Sequence, residues 1–464
     1  MPKVMTSLNP LDGSVVGTFE VKDLAEVKDM VQKAVEAQKK WEALPLTERA
    51  EKLRKLADMF EIHTQEIAEI LAKDMGKPVA MGRVECVEAA GEIRGHCEKA
   101  LHLYGEVIGQ NAFDNTELVF TRREALGVVA CIIPFNYPVE LTAQKLGPAL
   151  IMGNACVVKA PTSNPLAVLY LANLVKEAGI PDGVCQFFSA GRDAVNEGII
   201  DNHDVAAIAM TGSSEAGANV ASRAGKALKP VLMELGGNDP LIIFNDVDPK
   251  KAAKEISEGH KENNGQTCCS TKRVIIQKGI KDAVISELKK IIDGWKVGDP
   301  LEEDTVIGCL INEKAADTVE AQVQHTVQQG AKIVYGNGRT ASARWEPVIL
   351  DNVTPEMDIA QDLEIFAMVF PFIEFETEED AIRIANNTSY ALSSGILSGD
   401  IQRAFRVASK IQAGGVVVNG HGNCRIYEQA FGGPKQTGIG REGIICGCEQ
   451  FSRVKTYYYH GAFA

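Results

Sequence analysis

The sequence predicts an α/β fold with parallel sheets, divided into two or three domains, and three observations carry that reading. At 464 residues the chain is too long for a single hydrophobic core. From residue 125 onward, short apolar runs alternate with helix-patterned stretches, the order that winds a parallel sheet between helices. The runs are apolar throughout and do not alternate with polar residues, as strands covered on both faces require.

The elements follow in order. Residues 23–104 read as mainly helical: "DLAEVKDMVQKAVEAQKKW" spaces its apolar residues three and four apart, with Asp23 placed to cap. "TELVFTRREALGVVACIIP" (116–134) alternates around Arg122 and Arg123 and then runs apolar, which reads as a polar hairpin followed by a buried strand. Strands are expected at 126–133, 154–159, 184–188, 205–210, 230–233 and 240–244, with helices such as "NPLAVLYLANLVKEAG" between them. A second α/β block begins after 250. It has helices at 250–261, 280–294, 313–329, 378–386 and 401–411, and strands at 273–277, 332–335 and 415–419. No internal repeat or low-complexity linker separates the blocks.

Composition narrows the function. A net charge of −14 disfavours a nucleic-acid partner, which needs basic stripes. No apolar run reaches the ~18 residues of a membrane span, and "MPKVMTSLNPLDGS" lacks the apolar stretch of a signal peptide. A cytoplasmic protein with no membrane partner is expected. The 11 cysteines show no framework spacing and read as free thiols. Cys446 and Cys448 form a C-x-C pair with no second pair to complete a zinc site, so no metal is expected.

Five stretches carry chemistry, each with a plainer alternative. "MTGSSEAG" (210–217) follows a strand and opens a helix, where backbone N–H groups attract phosphate, or where glycine merely makes the turn. In "NACVVKAPTSNP" (154–165), Lys159 ends a strand at the edge where α/β sheets bind ligands; otherwise it is a solvated lysine. In "VLMELGGNDP" (231–240), Glu234 emerges from a buried strand, a setting that raises a carboxyl pKa as a general base needs; otherwise it is a surface turn residue. In "NNGQTCCSTKR" (263–273), Cys268 lies in a polar run that argues against deep burial, although a buried inert thiol is the commoner fate of cysteine. "PFNYP" (134–138) holds Asn136 on a rigid bend, as an oxyanion donor or as a turn residue.

Together and in this order, these stretches resemble the aldehyde dehydrogenase superfamily over nearly the whole chain. "PFNYP" is similar to its P-W-N-[FY]-P motif, "MELGGNDP" to E-L-G-G-x-x-P and "NNGQTC" to G-Q-x-C. "EIFAMVFPF" (364–372) is similar to E-I-F-G-P-V, and "FGGPKQTGIGREG" (431–443) to its closing motif. The resemblance implies an aldehyde-dehydrogenase-like fold. Its parts would be a Rossmann-type cofactor domain (1–106 and 126–236), an α/β catalytic domain (237–450) and a small oligomerisation flap (107–125 and 451–464) that builds a homodimer or homotetramer.

The implied reaction oxidises a small-molecule aldehyde to an acid with NADP or NAD. Cys268 would be the nucleophile and Cys269 its neighbour. Asn136 and the Cys268 N–H would hold the oxyanion, and Glu234 would activate water. Lys159 and Glu364 would hold cofactor ribose hydroxyls, with Gly212 and Ser213 beside the pyrophosphate. Pro134 and Phe366 are placed with them as cofactor-binding residues. Thr162, third after the lysine and neutral where other members carry Glu, leaves room for the 2′-phosphate of NADP.

For the substrate, succinate-semialdehyde members carry arginines at the positions of Glu262 and Gln144. Arg425, six residues before Phe431, resembles an arginine of lactaldehyde- and phosphonoacetaldehyde-type members. It would bind an anionic group or form a salt bridge with Glu428, while Glu262 would suit a cationic aminoaldehyde. A small polar or anionic aldehyde is therefore expected. Rival readings are a CoA-acylating semialdehyde dehydrogenase, against which Glu234 speaks, and a catalytically silent structural relative, against which the intact Cys268, Glu234, Asn136 and Lys159 speak.

Overall fold

A computed structural model describes residues 3–108 and 116–462. Residues 109–115, the middle of the expected flap hairpin, and the two residues at each end lie outside the described part.

Two large sheets organise the chain. In the first, six parallel strands run in the order Val15–Lys22, Cys185–Ala190, Ala155–Lys159, Val128–Ile132, Val205–Thr211 and Val231–Glu234. Lys3–Leu8 pairs antiparallel at one edge and Gly438–Ile439 at the other. The central strands are buried on both faces, as their uniform apolarity requires. Helix Leu24–Glu42 covers one face, its start fixed by a capping box between Asp23 and Glu26. Helices Val79–Leu101 and Pro138–Ile151 pack against each other in the other layer.

The second sheet has the order Lys332–Tyr335, Val348–Val353, Val369–Phe375, Arg273–Gln277, Pro240–Ile243, Ser393–Leu397 and Gly415–Val418. All its pairings are parallel except the first. Its apolar core centres on Leu241–Phe244, Val274–Ile276 and Phe370–Ile373. A third, antiparallel sheet joins Ser452–Tyr459, Leu118–Ala125 and Val107–Ile108. Residues 438–450, assigned to the catalytic part on sequence grounds, return to the first sheet through Gly438–Ile439 and lay helix Ile444–Gln450 on its helical layer.

The parallel strands of the first sheet end together at Ile132, Lys159, Thr211 and Glu234. The chain from Pro240 to Arg273 closes over that edge and brings the second sheet to it. Ligands bind at this edge in open α/β sheets.

Candidate active site

The stretch 263–273 is built to hold one side chain still. Asn263, Asn264 and Gly265 are consecutive residues in the left-handed region, with φ of 46°, 60° and 78°. Asparagine tolerates this conformation and glycine prefers it. A Cβ on Gly265 would lie 2.5 Å from the carbonyl carbon of Ala367, so this position also needs glycine for close approach. The side chains of the turn are clamped. Asn263 Nδ2 donates to the Asn136 carbonyl (2.8 Å) and Asn264 Nδ2 to the Cys309 carbonyl (2.8 Å). Gln266 Oε1 accepts the Ile311 N–H (3.0 Å).

The polar run is therefore buried, contrary to the expectation from its polarity, because its amides find partners inside the protein. Between Asn263 and Arg273, Cys268 alone is not fully buried. Cys269 is buried beside it, its thiol donating to Asn423 Oδ1 (3.1 Å).

Cys268 stands where two cavities meet. One, of about 520 Å³, is lined by Pro134, Asn136, Lys159, Thr162, Gly212, Ser213, Glu234, Glu364 and Phe366. These are the catalytic and cofactor residues expected from the sequence, drawn to one wall from segments that span 130 to 370. The other, of about 300 Å³, is lined by Tyr137, Glu140, Glu262, Cys269, Arg425 and Phe431, among others. Asn136 and Cys268 are common to both.

Asn136 Nδ2 donates to the Gln266 carbonyl (3.1 Å), which keeps the amide beside the Cys268 loop. Glu234 is 1% exposed, and neither of its carboxyl oxygens has a hydrogen-bond partner. Burial, then the neighbouring Cys268 thiol and then Glu442 push its pKa well above the carboxylate range, while Lys145 pulls it back. The Cys268 thiol is itself pushed up, first by its contact with Cys269 and then by burial. A Cβ on Gly237 would meet the Cys268 carbonyl at 2.8 Å, so the turn after Glu234 abuts the Cys268 loop.

The larger cavity continues along the sheet edge into another of about 830 Å³ that shares Lys159, Thr162, Met210 and Ser213 with it. This trough fits a nicotinamide dinucleotide. Ser213 caps helix Ser214–Lys226, whose N-terminal N–H groups and dipole face it. Among the described residues Lys159 has no carboxylate partner; its ammonium donates to Thr162 Oγ1 (3.0 Å), and burial lowers its amine pKa to about 8. Arg192 and Arg223 add positive charge farther along, against Glu215. Asp201 already pairs with Arg223.

The expected substrate residues divide. Glu262 and Arg425 line the smaller cavity. Gln144 does not: it is buried one layer behind, donating to Glu140 Oε1 (2.7 Å). Arg425 forms its ion pairs with Glu140 (3.5 Å) and Glu92 (3.7 Å), not with the expected Glu428, and its guanidinium stacks on Phe431. Glu428 lies on an exposed stretch, whereas Glu92 and Glu140 come from the buried helical layer.

Several site residues were not read from the sequence. Lys145 is fully buried and bonds to Glu442 (2.8 Å) and Thr211 (2.7 Å) behind Glu234. Its signal was a lysine within the apolar helix Pro138–Ile151. Glu88 and Glu140 line the substrate side, and nothing in their local sequence distinguishes them from surface acids.

The profile of the aldehyde dehydrogenase family matches residues 2–457. An aldehyde dehydrogenase of Aspergillus niger is 36% identical over 98% of this chain and 92% of its own. A 3-sulfolactaldehyde dehydrogenase of Priestia aryabhattai is 36% identical over 92% of this chain and 90% of its own. A crystal structure of glyceraldehyde-3-phosphate dehydrogenase from Methanocaldococcus jannaschii, complexed with NADP, superimposes with a TM-score of 0.93 at 32% identity, covering 99% of both chains. The chain belongs to the aldehyde dehydrogenase family. It is an oxidoreductase that oxidises an aldehyde with NAD or NADP.

Proposed function

We propose that the chain oxidises a small polar aldehyde to its carboxylic acid through a thioester on Cys268, without CoA. The observation that supports this most is the place of Cys268 and Asn136 at the junction of the two cavities. A carbonyl entering from the smaller cavity meets the sulfur there, with the cofactor trough on its far side.

The Cys268 sulfur adds to the carbonyl carbon, and the Asn136 amide and the Cys268 N–H receive the oxyanion. NAD(P)⁺, when bound, supplies the hydride acceptor. Lys159 and Glu364 would hold its ribose hydroxyls, Thr162 would leave room for a 2′-phosphate, Gly212 and Ser213 would lie at the pyrophosphate, and Pro134 and Phe366 would wall the nicotinamide end. Glu234 takes a proton from the water that attacks the thioester. Its raised pKa suits the order of events. Burial and a thiolate at Cys268 both favour the protonated carboxyl; acylation removes the second, and the carboxyl acts as a base once its own proton has passed to solvent. The buried Lys145–Glu442 pair balances charge behind it. Thr162 and the nearby Lys159 and Arg192 favour acceptance of NADP alongside NAD.

The substrate cavity carries Glu88, Glu140 and Glu262 against one arginine that two carboxylates already flank. This lining favours a head group that donates hydrogen bonds, hydroxyl or ammonium, over an anionic one. The third sheet is read as the seat of a homodimer or homotetramer. Ser452–Tyr459 is an edge strand, and Val107, Val454 and Tyr459 are 75%, 57% and 62% exposed. All 11 cysteines are free thiols, which suits a reducing, cytoplasmic setting.

The test is the initial rate of cofactor reduction with hydroxy-, amino- and carboxy-aldehydes, with and without CoA. Turnover without CoA is expected, with kcat/KM about tenfold lower for carboxylated aldehydes, a difference of ~1.4 kcal/mol. A strict requirement for CoA would overturn the hydrolytic reading.

A further inference from the structure

One buried cation, Lys272, lies against the Cys268 loop. Lys272 precedes strand Arg273–Gln277, four residues after the nucleophile, and its side chain is 2% exposed. The chain turns so that its ammonium comes back beneath the Cys268 loop and donates to the Cys268 carbonyl. The same ammonium lies 3.1 Å from Glu364 Oε1 and 4.9 Å from the ring centroid of Phe366. That Glu364 oxygen also accepts the Gly237 N–H (3.0 Å). One side chain thus ties the nucleophile's loop to the carboxylate expected to hold the cofactor, and through it to the turn after Glu234.

The charge of Lys272 matters beyond the tie. Burial pulls its amine down, but Glu364, Asp239 and Cys268 outweigh that, so it stays protonated. The groups acting on the Cys268 sulfur come from several elements. Cys269 is on its own loop and Asp239 precedes strand Pro240–Ile243; both disfavour the thiolate, as does burial, while Lys272 favours it. Glu234, at the end of its strand, interacts with the thiol from across the cavity. Without Lys272 a thiolate at Cys268 would face acidic groups and a second thiol.

We propose that Lys272 is a positioning residue: its ammonium holds Glu364 in register with the Cys268 loop and stabilises the Cys268 thiolate electrostatically. The proposal rests on Cys268 being the nucleophile. It is distinct from the oxyanion and general-base roles, because Lys272 acts on the resting thiol and on the cofactor's carboxylate.

The experiment is the pH profile of iodoacetamide alkylation of the cofactor-free protein in a Cys269→Ser background, with the labelled peptide identified by mass spectrometry. Lys272→Met is expected to slow alkylation of Cys268 about tenfold near neutral pH by moving its midpoint upward by about one unit. Lys272→Arg is expected to restore most of the rate. Glu364→Gln keeps the ammonium but removes its competing partner, so it is expected to move the midpoint downward; this second variant serves if Lys272→Met fails to fold. Calorimetric titration with NADP⁺ should show weaker binding in both Lys272→Met and Glu364→Gln. An unchanged profile in folded Lys272→Met, an unchanged midpoint in Glu364→Gln, or an arginine variant as slow as the methionine one would overturn the proposal. Exposed Cys424 is expected to label independently of these variants; absence of label on Cys268 in the Cys269→Ser protein would instead remove the nucleophile assignment on which it rests.

Discussion

At the scale of single residues, the site depends on side chains whose neighbours leave them no other conformation. Gly265 combines a φ of 78° with a backbone 2.5 Å from where a Cβ would sit. Gly265→Ala is expected to cost roughly 1–3 kcal/mol and to displace the Cys268 loop; thermal unfolding and the rate of Cys268 alkylation measure the two effects. Glu234→Gln keeps the shape of the buried carboxyl but cannot take a proton. It should give a burst of about one reduced cofactor per site, followed by turnover slowed at least ~100-fold, which rapid-mixing absorbance resolves. Equal loss of burst and steady state would place Glu234 before hydride transfer. That Cys268, Glu234 and Asn136 share one cavity was legible in the sequence, because each sits in a short motif whose backbone demands are local. Glu88, Glu140 and the partners of Arg425 were not, since a carboxylate on a helix looks the same facing solvent or a cavity.

At the scale of elements, the sheet edge sets the chemistry. Lys159 leaves its strand into the trough with its amine lowered to about 8 by burial. Bound ribose hydroxyls or a phosphate favour the charged amine, so binding takes up a proton and affinity falls as pH rises through about 8. Calorimetric titration should show this fall to be steeper for NADP⁺ than for NAD⁺ and absent in Lys159→Met. Helix Pro138–Ile151 contributes Lys145, whose pair with Glu442 is fully buried. Lys145→Met leaves that carboxylate unpaired and should destabilise by about 3–5 kcal/mol in denaturant titration. The double variant with Glu442→Gln should recover most of the loss.

The same scale shows where sequence patterning fell short. The strands Val348–Val353, Val369–Phe375 and Ser393–Leu397 were not anticipated. Pro371 interrupts the second, where it sits in register with Leu350 in a parallel pairing that does without its missing N–H. Helix 401–411 ends early, at Ala408, because its only strong signal was periodicity and no glycine or proline marks its end.

At the scale of the whole molecule, the strand ends of the first sheet and the chain that leads into the second line the cavity at Cys268, and the third sheet has its edge strand Ser452–Tyr459 exposed. The α/β class and the sequence of most strands were legible because strands buried on both faces announce themselves by apolarity. The return of residues 438–450 to the first sheet was not, because a two-residue strand carries no periodic signal. If the third sheet is the assembly surface, sedimentation should find a dimer or tetramer, and Val454→Lys with Tyr459→Lys should shift it toward monomer. An unchanged mass would place the interface elsewhere.

The central claim, a thioester on Cys268 resolved by water, is tested most directly by trapping it. Glu234→Gln protein is mixed with a turned-over aldehyde and NADP⁺, quenched in acid, digested and read by peptide mass spectrometry. The account predicts an acyl mass on the peptide carrying Cys268, at a stoichiometry equal to the burst of reduced cofactor, and localised to the first of the two adjacent cysteines. Reduced cofactor formed with no acyl peptide, or with the acyl group on Cys269, would contradict it.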